Sequence, residues 1–146
     1  MNITIRTAFL KDLPRLVVIN SLGSEEEGLI VEEKLPPFVK SGDLIVALAD
    51  KELVGLLYWR KEFLGDNNWF LTQVTVDKDY RRKGTGEKLC RYFLEHAKNN
   101  GIKKVFADAE ENNFASINLL KKLGGISLGK ISLEGEKKNY YQFDLK

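Results

Sequence analysis

The run from Val74 to Gly86, Val-Thr-Val-Asp-Lys-Asp-Tyr-Arg-Arg-Lys-Gly-Thr-Gly, limits what this chain can fold into more than any other stretch. An apolar, β-rich segment from Trp69 to Val76 stops at a charged turn, and a basic, glycine-bearing loop then opens a helix. The apolar residues of that helix, Leu89, Cys90, Phe93, Leu94 and Ala97, fall at i, i+1, i+4, i+5 and i+8, which is a helical period and not a strand period. A helix start carries unpaired N–H groups and the positive end of the macrodipole, so it takes phosphate readily. Gly84 and Gly86 let the backbone approach a ligand with no Cβ in the way, and Arg81, Arg82 and Lys83 add charge of the right sign. The segment reads as a phosphate-binding loop. The plainer alternative is a basic, solvated loop opening an ordinary helix.

The rest of the chain supplies a sheet for that helix. Ile3 and Ile5 alternate with Thr4 and Arg6 in a first strand, and Asp12 is expected to cap a helix with Pro14 in its first turn. A second helical stretch is expected around residues 26–35, closed by Pro36-Pro37. Strands from Leu44 to Ala49, Leu53 to Arg60 and Trp69 to Val76, joined by short polar turns, read as a meander. The long helix runs to about Asn99 with a stop at Asn100-Gly101. Lys103 to Ala109 is then a strand parallel to the Trp69–Val76 strand, reached by a right-handed crossover. Asn113 caps a helix through Leu123 with Ile117, Leu120 and Leu123 buried, closed by Gly124-Gly125, and two strands near 126–133 and 138–145 finish the chain. The fold class is α+β: a mixed, mostly antiparallel sheet with helices on both faces and one parallel pair.

Elimination narrows the loop. A P-loop needs Gly-Lys followed by Ser or Thr, but the one Gly-Lys, Gly129-Lys130, precedes Ile131. The dinucleotide fingerprint needs Gly or Ala where Leu89 stands, and its glycines follow the strand directly, whereas seven residues separate Val76 from Gly84. Arg-x-x-Gly-x-Gly, spelled Arg81, Gly84, Gly86, does fit, and it resembles the acyl-CoA-binding motif of the GNAT superfamily of N-acetyltransferases. The element order resembles that fold over the whole chain. A second run, Asn113 to Gly125, resembles the family's Asn-x-x-Ala and its helix ending Leu-Tyr-x-x-x-Gly-Phe. There Asn113 and Gly124 match and Ser116 stands in for alanine, while Leu120 replaces the tyrosine and Gly125 the phenylalanine.

The resemblance implies acetyl transfer from acetyl-CoA to a primary amine, on a small molecule or a peptide, by direct attack on the thioester. It places the pyrophosphate on the amides of Arg82, Lys83, Gly84, Thr85, Gly86 and Glu87, beside Arg81. The pantetheine arm and the thioester carbonyl go to the main chain of Val74 and Val76, and Asn113 and Asn118 contact the cofactor. An amine with a pKa near ~10 must lose a proton before it attacks, whereas a departing thiolate with a pKa of about 8.5 costs only ~2 kcal/mol unprotonated, so the base matters more than the acid. The strand Trp69–Val76 holds no carboxylate, where many relatives keep a glutamate, and Gln73 cannot act as a base. Asp108 matches the base position of the family's ribosomal-protein N-terminal acetyltransferases and is the catalytic candidate. Its alternative is a solvated or capping carboxylate, and Glu62, Glu110 and Glu111 are weaker candidates.

Other residues read more plainly. His96 falls on the polar helix face, a surface histidine rather than a catalytic one, and Cys90 is a small core residue. Tyr58, Trp59, Trp69, Tyr140 and Tyr141 are core or sheet-face aromatics before they are an acceptor pocket. Glu25-Glu26-Glu27 lies where the family builds its acceptor site, though an acidic run is more often a solvated face. The 146 residues are expected to form one domain, 1–146, and a formal charge of +2 from 23 basic and 21 acidic groups argues against nucleic acid. One cysteine and one histidine make neither a disulfide nor a zinc site, so no metal is expected. No segment reaches the ~20 apolar residues of a membrane span and the N-terminus lacks a signal pattern, so a cytoplasmic protein without membrane contact is expected. The resemblance also admits a homodimer. Two other functions compete: a non-catalytic acyl-CoA-binding module of the same fold, suggested by Leu120, and a nucleotide-binding oxidoreductase, which the glycine spacing disfavours.

Overall fold

The computed structural model describes residues 2–23, 34–133 and 135–146. The elements are β1 (Ile3–Thr7), α1 (Leu13–Gly23), α2 (Leu35–Ser41), β2 (Leu44–Ala49), β3 (Glu52–Arg60), β4 (Asn68–Val76), α3 (Thr85–Asn99), β5 (Lys104–Glu110), α4 (Phe114–Lys122), β6 (Ile126–Leu133) and β7 (Glu136–Asp144). The hydrogen-bonded strand order is β1-β2-β3-β4-β5-β7-β6. β1–β2, β2–β3, β5–β7 and β6–β7 are antiparallel, and β4–β5 is the expected parallel pair. The fold is therefore the mixed α+β sheet with one parallel pair. The chain divides into two compact units, Met1–Trp59 with Gln73–Phe93 and Arg60–Thr72 with Leu94–Lys146.

In the first unit, β3 is buried along seven consecutive residues because both of its faces are covered. Leu56 and Tyr58 join Leu16, Ile19, Leu35, Val39, Leu44 and Val46 in a core closed by α1 and α2. On the opposite face Trp59 meets Phe93 of α3, with ring centroids 5.1 Å apart. Gly55 lies on that same face. A Cβ there would stand 3.2 Å from Leu89 Cδ1 and 3.3 Å from the Thr75 carbonyl, so the missing side chain is what lets the first turns of α3 lie close to the sheet.

A bulge in β3 anchors the chain just after β4. The β2–β3 register passes from Ala47↔Gly55 to Leu48↔Leu53, leaving Val54 as the extra residue of β3. The Val54 carbonyl accepts the Asp77 N–H at 2.8 Å, and the Leu53 carbonyl accepts Arg15 Nε at 3.3 Å. Arg15 also holds the Asp77 carboxylate at 2.8 Å. Asp77, the residue after β4, is thus held through both its N–H and its carboxylate.

In the second unit, Trp69, Val105 and Phe143 lie side by side in register, and the ring of Trp69 meets His96 of α3 at 5.8 Å. His96 is therefore half-buried against an indole and not a bland surface residue. α4 ends as expected at Gly124 (φ +96), a left-handed position suited to glycine. The Gly124 N–H donates to the Lys121 carbonyl at 3.0 Å, and the Gly125 N–H donates to Leu120 at 2.9 Å. Gly125 then sits against the Phe143 ring, where an added Cβ would stand 2.9 Å from Cζ.

Several expectations need correction. Pro36-Pro37 opens α2 instead of closing a helix, since proline lacks only an N–H that the first turn leaves unpaired anyway. The remainder of that stretch, and Glu25-Glu26-Glu27, lie outside the described residues. Asp12 does not cap α1. It closes a 3-10 turn, Leu10–Asp12, accepting the Phe9 N–H at 2.7 Å and both guanidinium nitrogens of Arg6 at 2.8 and 3.1 Å. That bidentate contact pulls the Asp12 carboxyl below its usual range. Leu123 is only half-buried, unlike Ile117 and Leu120.

Candidate active site

After Val76 the chain makes a 3-10 turn, Lys78–Tyr80, with the Asp77 carboxylate accepting the Asp79 N–H at 3.1 Å. Arg81 folds back, and its Nε donates to the Val76 carbonyl at 3.0 Å. That carbonyl is therefore already engaged, which leaves the outer nitrogens of Arg81 for a ligand. Arg82 (φ +62) and Gly84 (φ +79) are both left-handed, and alternating handedness turns successive N–H groups inward to make an anion nest. Nothing lies within 4 Å of the place a Gly84 Cβ would occupy, so glycine serves the backbone angle and leaves the approach open.

The first bond of α3 is from the Lys88 N–H to the Gly84 carbonyl, at 3.0 Å. The N–H groups of the turn before Lys88 point out of the helix start without intrahelical acceptors. Thr85 is 1% exposed, yet among the described residues its Oγ1 has no hydrogen-bond partner. Lys83 Nζ stands over the Tyr80 ring at 5.5 Å, and Arg91 neutralises Glu87 one turn on at 3.1 Å. An inward-turned backbone, an orphan hydroxyl, local cations and open space together fit a pyrophosphate. Gly86 is a regular member of the first helical turn and not a positive-φ residue. Cys90 is a core residue, its thiol pushed up to about 12 mainly by burial.

Also in the first unit, the Tyr58 hydroxyl donates to Gln73 Oε1 at 2.9 Å, and Gln73 Nε2 donates to Thr75 Oγ1 at 2.9 Å. These bonds orient the Gln73 amide and use the Tyr58 hydroxyl inside the core. Trp59, Trp69 and Tyr141 are buried as well, so of the five aromatics considered for a pocket only Tyr140 keeps partial exposure.

Asp108 belongs to the second unit. It lies on β5 opposite Tyr140 of β7, with its side chain 21% exposed and its Oδ2 3.8 Å from Lys138 Nζ. Burial raises its pKa, while the charges of Lys138 and then Arg60 oppose the rise. Phe106, two residues earlier on the same strand face, meets Phe63 at 5.5 Å, and Phe63 meets Phe70 at 4.7 Å. The guanidinium of Arg60 lies 5.4 Å from the centre of the Phe70 ring. Glu111 is taken by Lys130 at 3.3 Å, while Glu62 and Glu110 are exposed. Asn113 caps α4 through Oδ1, which accepts the Ser116 N–H at 3.2 Å; Asn118 is exposed, and Leu120, in the family's tyrosine position, is buried. Sequence reasoning did not single out Arg60, Lys138 or the Val54 bulge.

Residues 18–125 match the family model described as the acetyltransferase (GNAT) family. The uncharacterized N-acetyltransferase YobR of Bacillus subtilis is 35% identical over 54 residues, a match covering 37% of this chain and 22% of that protein. The chain thus spans far less than the length of that relative. An N-acetyltransferase structure from Staphylococcus aureus superposes with a TM-score of 0.86 at 21% identity, covering both chains completely. The yncA structure from Salmonella typhimurium, solved with its cofactor acetyl-CoA, gives 0.84 at 19% identity, covering 100% of this chain and 95% of that one. At such identities the likeness speaks to the fold. Among the described residues no helix is long and apolar enough to cross a membrane.

Proposed function

The chain belongs to the acetyltransferase (GNAT) family, and on that footing we propose that it transfers an acetyl group from acetyl-CoA to a primary amine. The observation that carries this reading is the loop of the first unit: Arg82 and Gly84 left-handed, Thr85 Oγ1 unpartnered, and α3 starting where Gly84 leaves the approach open. Bound acetyl-CoA supplies the activated thioester. The amides of residues 82–87 hold its pyrophosphate, with Arg81, Arg82 and Lys83 balancing the charge. The main-chain amides of Val74 and Val76 orient the pantetheine arm and donate to the thioester carbonyl oxygen as charge develops there. Asn113 reaches the cofactor through its side-chain NH2, since its oxygen holds Ser116, and Asn118 through its exposed amide.

Asp108 takes the proton of the acceptor ammonium. Its raised pKa suits the role, because a carboxylate nearer the working pH is a stronger base, and Gln73 is neutral and already hydrogen-bonded. The freed lone pair attacks the carbonyl carbon, the C–N bond forms, the C–S bond breaks, and the thiolate leaves with its electron pair. The new nitrogen then gives its second proton to solvent or to the departed thiolate, leaving a neutral amide.

Two measurements test this. Calorimetry is expected to show acetyl-CoA and CoA binding and NADH failing to bind. Thiol release over an amine panel is expected to show turnover. Binding without turnover on any amine would leave the non-catalytic acyl-CoA module as the better reading, and no acetyl-CoA binding would remove both.

A further inference from the structure

Several features of the second unit gather around Asp108 and are not needed to remove a proton. Lys138 and Arg60 both bring positive charge to this carboxylate. Lys138 is shared with Glu136 at 3.8 Å, and Glu110 is its neighbour in the β5–β7 register. Arg60 is different. Among the described residues no carboxylate lies within ion-pair distance of its guanidinium, which is exposed and rests over the Phe70 ring at 5.4 Å. Stacking on an aromatic face presents the edge of a guanidinium, the arrangement that grips a carboxylate through two N–H groups. Beside it the half-buried Phe63 packs on Phe70 and Phe106, which are themselves buried, so Phe63 is the ring of the three that keeps exposed surface.

We propose that the acceptor is an α-amino acid with an apolar or aromatic side chain. Asp108 takes its ammonium, Arg60 grips the carboxylate on the adjacent carbon, and the exposed side of the Phe63 ring, backed by Phe70 and Phe106, receives the side chain. This rests on the acetyltransferase reading and adds the acceptor class. The step is the same in atoms and electrons: the α-ammonium loses one proton to Asp108, its nitrogen bonds to the acetyl carbon, CoA leaves as thiolate, and the second nitrogen proton passes to solvent or to that thiolate, giving an N-acetylamino acid and CoA. Arg60 is a specificity residue here, since it touches the part of the substrate that does not react.

The test uses the full chain with acetyl-CoA and four acceptors: L-phenylalanine, L-leucine, 2-phenylethylamine and spermine. 2-Phenylethylamine keeps the ring and the amine of phenylalanine and lacks only the carboxylate. One charge-assisted contact predicts that L-phenylalanine exceeds it in kcat/KM by about tenfold or more. Arg60→Gln is expected to raise the KM for L-phenylalanine by about the same factor. Because Arg60 also bears on the Asp108 carboxylate and so on every acceptor, the readout is the ratio of L-phenylalanine to 2-phenylethylamine in kcat/KM, which should fall to about unity. Equal use of 2-phenylethylamine or spermine, no use of either amino acid, or an unchanged preference in Arg60→Gln would overturn the acceptor assignment. Calorimetry with acetyl-CoA separates the two levels. Intact binding with any of those results leaves the acetyltransferase reading standing, whereas lost binding removes that reading itself.

Discussion

Replacing Asp108 with Asn removes a charge and little volume, and its consequences can be worked through before any measurement. An amine with a pKa near 10 is neutral in only about one part in a thousand at pH 7, a deficit of ~4 kcal/mol that a positioned base offsets. General-base removal costs ~10²- to 10⁴-fold, and the free amine already in solution caps the loss near ~10³ at pH 7. Thiol-release kcat/KM should therefore fall by ~10²- to 10³-fold. The gap to the native enzyme should then close between about pH 7 and 10 as unprotonated amine accumulates. The same substitution reads stability with a definite sign. Burial raises the Asp108 pKa, so the folded state holds this proton more tightly than the unfolded chain does. That stabilisation is complete below the ordinary carboxylate pKa and is lost as pH rises through the higher folded value. At neutral pH the half-buried charge is a net cost, so Asp108→Asn should melt at or above the native temperature. Full activity in Asp108→Asn across the pH range would refute the base assignment and move attention to Glu62 and Glu110. Loss of activity together with a lower melting temperature would instead mean that the variant had damaged the β5–β7 ladder.

Gly86→Val places a side chain in a regular helical turn, without positive-φ strain; calorimetry should show acetyl-CoA binding weakened at least about tenfold in a folded protein, and unchanged affinity would sink the loop assignment. Gly125→Ala puts a Cβ 2.9 Å from both the Leu120 carbonyl oxygen and Phe143 Cζ, so denaturant unfolding should register a loss of about 1–3 kcal/mol. Asp12→Asn should cost about 1.5–3 kcal/mol at neutral pH. Because Arg6 depresses the native carboxyl, that difference is present above the usual carboxylate pKa and should shrink as pH falls through the lowered value, in melts run at pH 7 and about pH 3.

Much of the architecture was legible because its determinants are local. β2 occupies Leu44 to Ala49, the residues its apolar run marked, and α3 ends at Asn99 where Asn100-Gly101 stops it. Asn113 caps α4 with the bond its side chain was expected to make. Misreadings arose where one residue type serves two positions. Pro-Pro marks a helix start as well as a stop, and Asp12 had an arginine six residues earlier that competed for its carboxylate. The Val54 bulge left no mark in its own strand, since its reason is the Asp77 N–H after the next strand. The phosphate loop was readable because it is one continuous run. The surroundings of Asp108 were not, because Arg60, Lys138 and the three phenylalanines come from separate strands and a loop. Only register and packing bring such residues together.

The leaving group supplies the last test. A dedicated acid is most valuable when the departing atom is strongly basic, as an alkoxide or amide nitrogen is. A CoA thiolate, with a pKa near that of cysteine at about 8.5, departs unprotonated at neutral pH at a cost of only ~2 kcal/mol. Nothing at position 120 offers a proton: Leu120 is buried in α4, and its carbonyl accepts the Gly125 N–H. The Tyr58 hydroxyl is committed to Gln73. The kcat/KM profile of the native enzyme should therefore rise through the base ionisation and then hold level, because a descending alkaline limb reports an acid that must stay protonated. A profile level to about pH 9.5 agrees with unassisted departure. The acceptor ammonium itself titrates near ~10, so a limb falling there that disappears in Tyr140→Phe would show that this partly exposed neighbour of Asp108 donates to the sulfur, whereas a limb that persists belongs to the acceptor.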